Sequence, residues 1–489
     1  METYHWTIIS ILVVKIMCAL LLISTGNRWP RAAKWLAIGA SMISMGLTFS
    51  TLPVLARGAL RPLEIEYLPL VGIRLGLNLD WISFPFLLTE EFVTFFAVIY
   101  GMDYLKERPN QPVFYGLLLL FAAGMSGTTL ANDIFLFYLF WELMLIASAL
   151  LILNWGDGQQ RVGVTLKYFI ITHLGSLLVL VGFIILYSHT GVDYFSAMRA
   201  AFDASHTFVP LVTMLFLIGF SVKMAIVPVH IWLPDAHSVA PMPVTIMLAA
   251  AMLSMGTYGI LRFPLSFISL EQFSRYGIYL MGFGVLSEIY GALMALAEKD
   301  IKRIIAYSSV SQMGYILFGI GTLTSSGLMG ATLHVVYHAI VKALLFCCVG
   351  NIIAATGRRS IDELGGLWGK LGGQGILVMV GVLSFAGLPA LAIFNSEWLI
   401  FSSGFQTPYT ALAILEVLGS LLTVGYGLRF LGKIFFGAEK AIKLRPIPLS
   451  MQAASYGLVI LTVLAGLFPR PLFDVIANEI PLLLGGILK

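Results

Sequence analysis

Apolar runs of about 20 residues follow one another along almost the whole chain, and the short gaps between them collect the Gly, Pro, Lys and Arg residues. A helix rises about 1.5 Å per residue, so about 20 apolar residues cross the ~30 Å hydrocarbon core of a bilayer. On that rule the pattern predicts fourteen spans, at about 6–24, 35–55, 81–104, 113–131, 134–153, 164–188, 209–228, 241–263, 276–297, 304–323, 328–354, 376–402, 408–432 and 450–469. A weaker apolar stretch, 471–488, holds Asp474 and Glu479 and reads as interfacial. Between spans 2 and 3, residues 56–80 alternate at Ile73, Leu75, Leu77 and Leu79, the period of a small outer hairpin. The first run, Trp6 to Ser24, leads into Gly26-Asn-Arg-Trp-Pro-Arg31 without a small-residue cleavage site, so it is expected to stay as the first helix.

Two spans are interrupted by helix-disrupting residues, and both also carry a charge. Span 7 contains Gly219-Phe-Ser-Val-Lys223-Met-Ala-Ile-Val-Pro228, and span 12 contains Gly387-Leu-Pro389-Ala-Leu-Ala-Ile-Phe-Asn-Ser-Glu397. Such a break frees backbone polar groups that lipid cannot satisfy, so it must face protein or water. Paired breaks in two halves of a chain point to an inverted-repeat transporter. They lie five spans apart, which predicts an all-α polytopic membrane protein with two inverted five-helix repeats. The expected organisation is residues 1–112 for three N-terminal helices and the hairpin, 113–263 and 276–435 for the repeats, and 436–489 for a C-terminal helix and tail.

Composition agrees. The 489 residues are 59% hydrophobic and 11% charged, against roughly 25% charged in soluble domains. The +4 net charge is spread through short loops and forms no basic patch with interleaved aromatics, so nucleic acid is not an expected partner. With the N-terminus outside, the inner loops gather Arg28, Arg31, Lys34, Lys106, Arg108, Arg161, Lys299, Lys302, Arg303, Arg358, Arg359, Lys370, Lys433, Lys440, Lys443 and Arg445. The outer loops hold mainly Arg57, Arg61, Arg74, Arg199 and Arg275. The positive-inside rule then places both termini outside. Cys18, Cys347 and Cys348 lie in apolar segments without C-x-x-C spacing, so neither a disulfide framework nor a metal or iron–sulfur site is expected in this chain.

A charged side chain at the centre of a membrane helix costs roughly 2.5–3.5 kcal/mol on insertion scales, so each one asks for a reason. The chain has several: Glu142 in span 5, Lys223 in span 7, Glu288 in span 9, Lys342 in span 11 and Glu397 in span 12. His334, His338 and Lys342 recur every four residues and stack on one helix face. A structural reading, in which a Glu and a Lys pair to hold helices together, covers one isolated pair but not the whole set. Burial lowers a lysine's pKa and a nearby carboxylate raises it again, so a lysine with a movable carboxylate partner is a proton switch. Among the remaining candidates, Lys15 reads as a subunit-interface contact ahead of a transport group, and His173 as a satisfied core histidine. His230, Asp235 and His237 resemble metal ligands in spacing but fit a loop that closes the end of a half-helix. Glu90 and Glu91 are adjacent and cannot share one face, so at least one is expected to face another helix or subunit.

Several motifs carry a resemblance. His230-Ile-Trp-Leu-Pro-Asp-Ala-His-Ser-Val-Ala-Pro-Met-Pro-Val244 is followed by Gly256-Thr-Tyr-Gly-Ile-Leu-Arg262. With Phe140-Trp-Glu-Leu-Met144, Asp300-Ile-Lys-Arg-Ile-Ile-Ala-Tyr-Ser-Ser309, Gln312-Met-Gly314 and His334-Val-Val-Tyr-His-Ala-Ile-Val-Lys-Ala-Leu-Leu-Phe346, it resembles the antiporter-like subunits of respiratory complex I. The family also includes the multisubunit sodium/proton antiporters and the membrane arms of energy-converting nickel–iron hydrogenases. The likeness covers about residues 70–435. It implies a Glu142–Lys223 pair, a central hydrophilic axis of His334, His338 and Lys342, and a terminal Glu397 of the type in the middle pumping subunit of complex I. Ser254, His230 and Glu288 are possible relays. Many members carry a lysine in span 8 where this chain has Ser254, a hydroxyl that orders water but holds no proton charge at neutral pH.

The resemblance implies a proton-translocating, or sodium-translocating, subunit in the membrane arm of an electron-transfer complex, itself without catalytic or cofactor-binding residues. Iron–sulfur clusters and flavin or nickel–iron are expected in partner subunits, alongside homologous antiporter-like subunits, a peripheral electron-transfer arm and lipid, in a prokaryotic cell membrane. The alternatives are a non-redox sodium/proton antiporter subunit and a passive scaffold, the latter resting on Ser254. Asn395-Ser-Glu-Trp398 and the missing span 8 lysine lean towards a hydrogenase-type complex, and the short tail after span 14 separates the chain from the distal pumping subunit, which has a long lateral helix.

Overall fold

The computed structural model describes residues 3–58, 61–68, 73–195, 207–265, 270–478 and 480. Arg199, Glu479 and the second half of the 471–488 stretch lie outside the described residues. In chain order the elements are α1 (Thr3–Thr25), α2 (Pro30–Ala56), β1 (Leu63–Leu68), β2 (Ile73–Leu77), α3 (Phe84–Tyr104), α4 (Gln111–Leu130), α5 (Ile134–Trp155), α6 (Arg161–Thr190), α7 (Val209–Met224), α8 (Leu233–Val239) and α9 (Met242–Leu265). They continue with α10 (Leu270–Ala297), α11 (Ile301–Gly321), α12 (Ser325–Thr356), α13 (Trp368–Phe385), α14 (Ala392–Gly404), α15 (Thr410–Phe436), α16 (Leu449–Leu467) and α17 (Arg470–Ala477).

Thirteen of these helices are long and apolar enough to cross a membrane. The fourteenth predicted span, span 7, is shorter than its apolar run: α7 stops at Met224, Ala225 turns left-handed (φ 59°), and the chain resumes helix only at Leu233. Span 12 is likewise two helices, α13 and α14, separated by Gly387 (φ 66°) and Ala390 (φ 71°). Both predicted breaks are therefore present. The predicted hairpin is also found, with β1 and β2 antiparallel in the register Leu63↔Leu77 and Ile65↔Leu75. Asp133 ties it to the bundle, since its carboxylate caps α5 through Leu136 N (2.7 Å) and also accepts from Gly76 N (2.7 Å) in β2.

Burial sorts the helices into two classes. α9 and α11 are enclosed by protein on all sides. On α6, by contrast, Leu166, Ile170, Leu174, Leu177, Val181 and Ile184 form an exposed apolar stripe at helical spacing, as a helix facing lipid requires. α9 is continuous but contains π-turns at Leu248–Met252 and Leu261–Leu265, the kind of local unwinding that often marks functional sites.

The second π-turn presents Arg262 to the loop before α3, where its guanidinium grips Asp80 through two bonds of 2.7 and 2.6 Å. Burial works to raise the Asp80 pKa, but Arg262 and the Ser83 donors outweigh it and hold the carboxyl below its ordinary range. A carboxylate depressed in the folded state stabilises above its unfolded pKa, about 4, and loses that contribution as pH falls through the folded value. Arg262→Ala is expected to cost about 2 kcal/mol, less than the ~3–5 kcal/mol of a fully buried pair, because Asp80 retains some solvent contact. Thermal melts should show a constant penalty from pH 8 to pH 5, shrinking only in stronger acid. A penalty that fades between pH 7 and pH 5 would contradict this account.

Candidate functional site: a buried polar axis between two helix breaks

The first group surrounds the break after α7. Lys223 lies in the last turn of α7, where the helix dipole and the freed carbonyls favour a cation. It is buried, its Nζ has no hydrogen-bond partner among the described residues, and it sits 4.9 Å from the centroid of the Trp141 ring. Trp141 is fixed by its own bond to Ser176 Oγ (2.9 Å), and Trp232 donates to Val222 O (2.9 Å), satisfying one carbonyl beside the break. Glu142, one residue on from Trp141, is the carboxylate electrostatically closest to Lys223. Its direct partners, however, are His173, with Nδ1 3.1 Å from Oε2, and the neighbouring Tyr138 hydroxyl. His173 is thus no packed core histidine: its side chain is 37% exposed and it anchors Glu142. The sequence expectation for it is corrected.

The second group lies on α12. His334, His338 and Lys342 project to one side, as their spacing predicts. Lys342 Nζ donates to Ile305 O (3.1 Å) and Ser308 Oγ (2.7 Å) of α11 and lies 4.4 Å from the Phe385 ring centroid. His334 sits between Gln312 Oε1 and Ser396 Oγ, each 3.0 Å away, with its ring stacked on Tyr315. His338 stacks on Phe385, and among the described residues its Nε2 and both ring nitrogens of His237 from α8 have no partner. His237, His338 and Lys342 are electrostatic neighbours.

The third group surrounds the second break. Glu397 on α14, Glu288 on α10 and Glu416 on α15 form a buried cluster beside Tyr315. Glu288 and Glu416 face each other at hydrogen-bonding range beside Tyr315, and Oε1 of Glu397 lacks a partner among the described residues. Tyr426 is close to Ser308 on one side and Thr423 on the other, so polar groups lead from Lys342 through Ser308, Tyr426, Thr423 and Tyr315 to the carboxylates. Buried polar atoms are nearly always hydrogen-bonded, and so many orphans along one line mark positions for water or a transported ion.

Other candidates fall elsewhere. Ser254 donates its proton to Ala251 O (2.5 Å) of its own helix just after the first π-turn, so only the acceptor side of its hydroxyl is left for bridging the first two groups. Asp235 is held by Lys167 (2.7 Å) and Arg303 (2.6 Å), while His230 lies edge-on to Tyr290, so the three residues with ligand-like spacing do not converge. Lys15 is wholly buried among α1, α3 and α4 and bonds both Glu90 and Glu91. That corrects the subunit-interface reading, since two long side chains from adjacent positions can wrap round one ammonium. Glu416 escaped the sequence reading altogether, although it gave the same signal as the others, a lone carboxylate in a long apolar run. Ser308 and Gln312 lie inside motifs that carry the resemblance, whereas Tyr315 has an ordinary polar side chain that nothing in the sequence separates from packing.

Residues 131–423 match the transmembrane model of the NADH:quinone oxidoreductase/Mrp antiporter family, more than half of the chain. The chain belongs to that family. The antiporter-like subunits are similar over most of their length. Subunit M of F420H2 dehydrogenase from Methanosarcina mazei is 34% identical over 85% of this chain and 85% of its own. Subunit M of NADH-quinone oxidoreductase from Escherichia coli is 32% identical over 84% and 82%. Among solved structures, a chain of the Mrp complex from Dietzia superposes with a TM-score of 0.90 over 100% of this chain and 98% of that one, at 23% identity, which establishes the shared fold. All the charged and histidine residues of the three groups, from Glu142 to Glu416, lie within the matched segment, and Tyr426 lies just beyond it. The Lys15 cluster lies before it.

Proposed function

We propose that this chain moves protons across a prokaryotic cell membrane as an antiporter-like subunit in the membrane arm of an electron-transfer complex, with both termini outside. The observation that carries the reading is the row of orphaned polar atoms between the two helix breaks, from Lys223 Nζ through His338 Nε2 to Glu397 Oε1, which ends beside the paired carboxyls of Glu288 and Glu416. Glu142 and Lys223 form the gate, Lys342 with His338 and His334 the middle, and the three carboxylates the far end. His230 and His237 flank the line, and water fills the stretch where Ser254 replaces a lysine. The proposed repeats, 113–263 and 276–435, are supported by matched packing: α4 on α5, α5 on α6 and α6 on α7 in the first, α10 on α11, α11 on α12 and α12 on α14 in the second.

The energies are commensurate. One charge crossing 100 mV takes about 2.3 kcal/mol, and a change of two pKa units in a carrier's proton affinity supplies about 2.7 kcal/mol. Partner subunits would carry the redox groups, iron–sulfur clusters with flavin or nickel–iron, along with the peripheral arm. Glu142→Ala is expected to abolish proton movement coupled to electron transfer while the variant still co-purifies with its partners. An unchanged proton stoichiometry would refute the gate. Metal and flavin analysis of the intact complex tests the redox assignment: a complex without iron, nickel or flavin makes the chain part of a non-redox sodium/proton antiporter.

A further inference from the structure

A second set of buried ionisable groups lies outside the axis and before the residues that define the family. Lys15 of α1 donates to Glu90 Oε1 and Oε2 (3.1 and 3.0 Å), to Glu91 Oε1 (2.9 Å) and to Ser126 Oγ of α4 (2.6 Å). Glu90 is saturated, since Thr94 Oγ1 donates to its Oε1 (3.0 Å) and Ser126 Oγ to its Oε2 (2.7 Å). Glu91 is not. Its Oε1 accepts from Lys15, from Ser44 (2.7 Å) and from Thr48 (3.5 Å), whereas its Oε2 has no partner among the described residues. Lys15, Glu90, Glu91, Ser44 and Ser126 are all fully buried.

The charge count decides what this site wants. One ammonium and two carboxylates leave a net negative charge in a dry interior, which is strongly disfavoured unless a counter-charge is present. Lys15 and the hydroxyls satisfy Glu90 and one side of Glu91, so the remaining requirement falls on Glu91 Oε2. The cluster is also not sealed off by hydrocarbon. Ser41, Ser44, Thr48 and Thr51 place buried hydroxyls along one face of α2, carrying a polar lining beyond Glu91 in both directions. On the α4 side, the Thr129 backbone carbonyl accepts from Tyr258 OH (3.0 Å), whose oxygen accepts in turn from Arg262 Nε (3.0 Å).

We propose that Lys15, Glu90 and Glu91 form a second proton-binding site, separate from the central axis, in which Glu91 Oε2 holds one exchangeable proton and the hydroxyl-lined face of α2 gives it contact with water. The proposal stands independently of ion pumping by the axis, and infrared spectroscopy of the intact purified complex tests it without any transport measurement. The wild-type complex should show protonated-carboxyl C=O absorption that moves to lower frequency in D2O. Glu91→Gln should remove one carboxyl's share of that absorption. Ser44→Ala, which deletes one bond to Oε1 and leaves the ion pairs in place, should shift that share to higher frequency, so the assignment survives even where Glu91→Gln fails to assemble. Full carboxyl intensity retained in Glu91→Gln, a Ser44→Ala spectrum identical to wild type, or absorption that does not move in D2O would each overturn the proposal. Retained intensity would mean that the cluster is a purely structural ion pair.

Discussion

Lys223→Ala and Lys223→Arg should both reduce proton translocation by at least tenfold in proteoliposomes containing the complex, while subunit composition stays unchanged. The alanine variant removes the only protonatable atom at the end of α7, where an unpartnered ammonium faces the Trp141 ring and the neighbouring Glu142. The arginine variant is the more informative. It keeps the positive charge and the contact with Trp141, but a guanidinium stays protonated at any physiological pH and cannot pass its proton on. Dye-quenching rates normalised to electron transfer would measure both. If Lys223→Arg pumps at the wild-type rate, the residue acts through fixed charge alone, and the relay through the first break is wrong.

Gly314→Val should destabilise the protein by about 3 kcal/mol, the upper end of the ~1–3 kcal/mol typical of overpacking, because the obstruction is backbone. On the α10–α11 seam, a Cβ at Gly314 would lie 2.5 Å from Gly284 O and 2.6 Å from Glu288 N, atoms that cannot rotate aside. Small residues let membrane helices approach this closely. The same approach sets where Glu288 stands, so prying the helices apart also disturbs the carboxylate cluster. Gly282→Val on the same α10 is the control, since a Cβ there meets nothing within 4 Å. Thermal unfolding of the two variants in detergent should differ by several degrees in Tm. Equal stability would mean that the seam is looser than described.

The break in α7 and the break between α13 and α14 were legible for the same reason as the spans themselves. Transfer of a helix into lipid is a sum of local contributions, and a Gly or Pro beside a charge interrupts that sum wherever the chain folds. The buried charges at Glu142, Lys223, Lys342 and Glu397 stood out because each is costly by itself. Glu416 met the same criterion and was passed over, a failure of reading and not of information.

Partner choice is a different matter. Lys15 bonds Glu90 and Glu91, Glu142 bonds His173 ahead of Lys223, and Asp235 is taken by Lys167 and Arg303. Ser254 turns back on its own helix beside a π-turn that no residue pattern announces. The sequence by itself determined that the chain is a polytopic helical membrane protein, where two of its spans break, and that costly charges lie inside. Only the tertiary structure decided which of those charges meet. The polar tips of side chains many positions apart come within 3 Å through the lateral packing of helices, and seams such as Gly284 against Gly314 set that packing far from the charged residues in the chain.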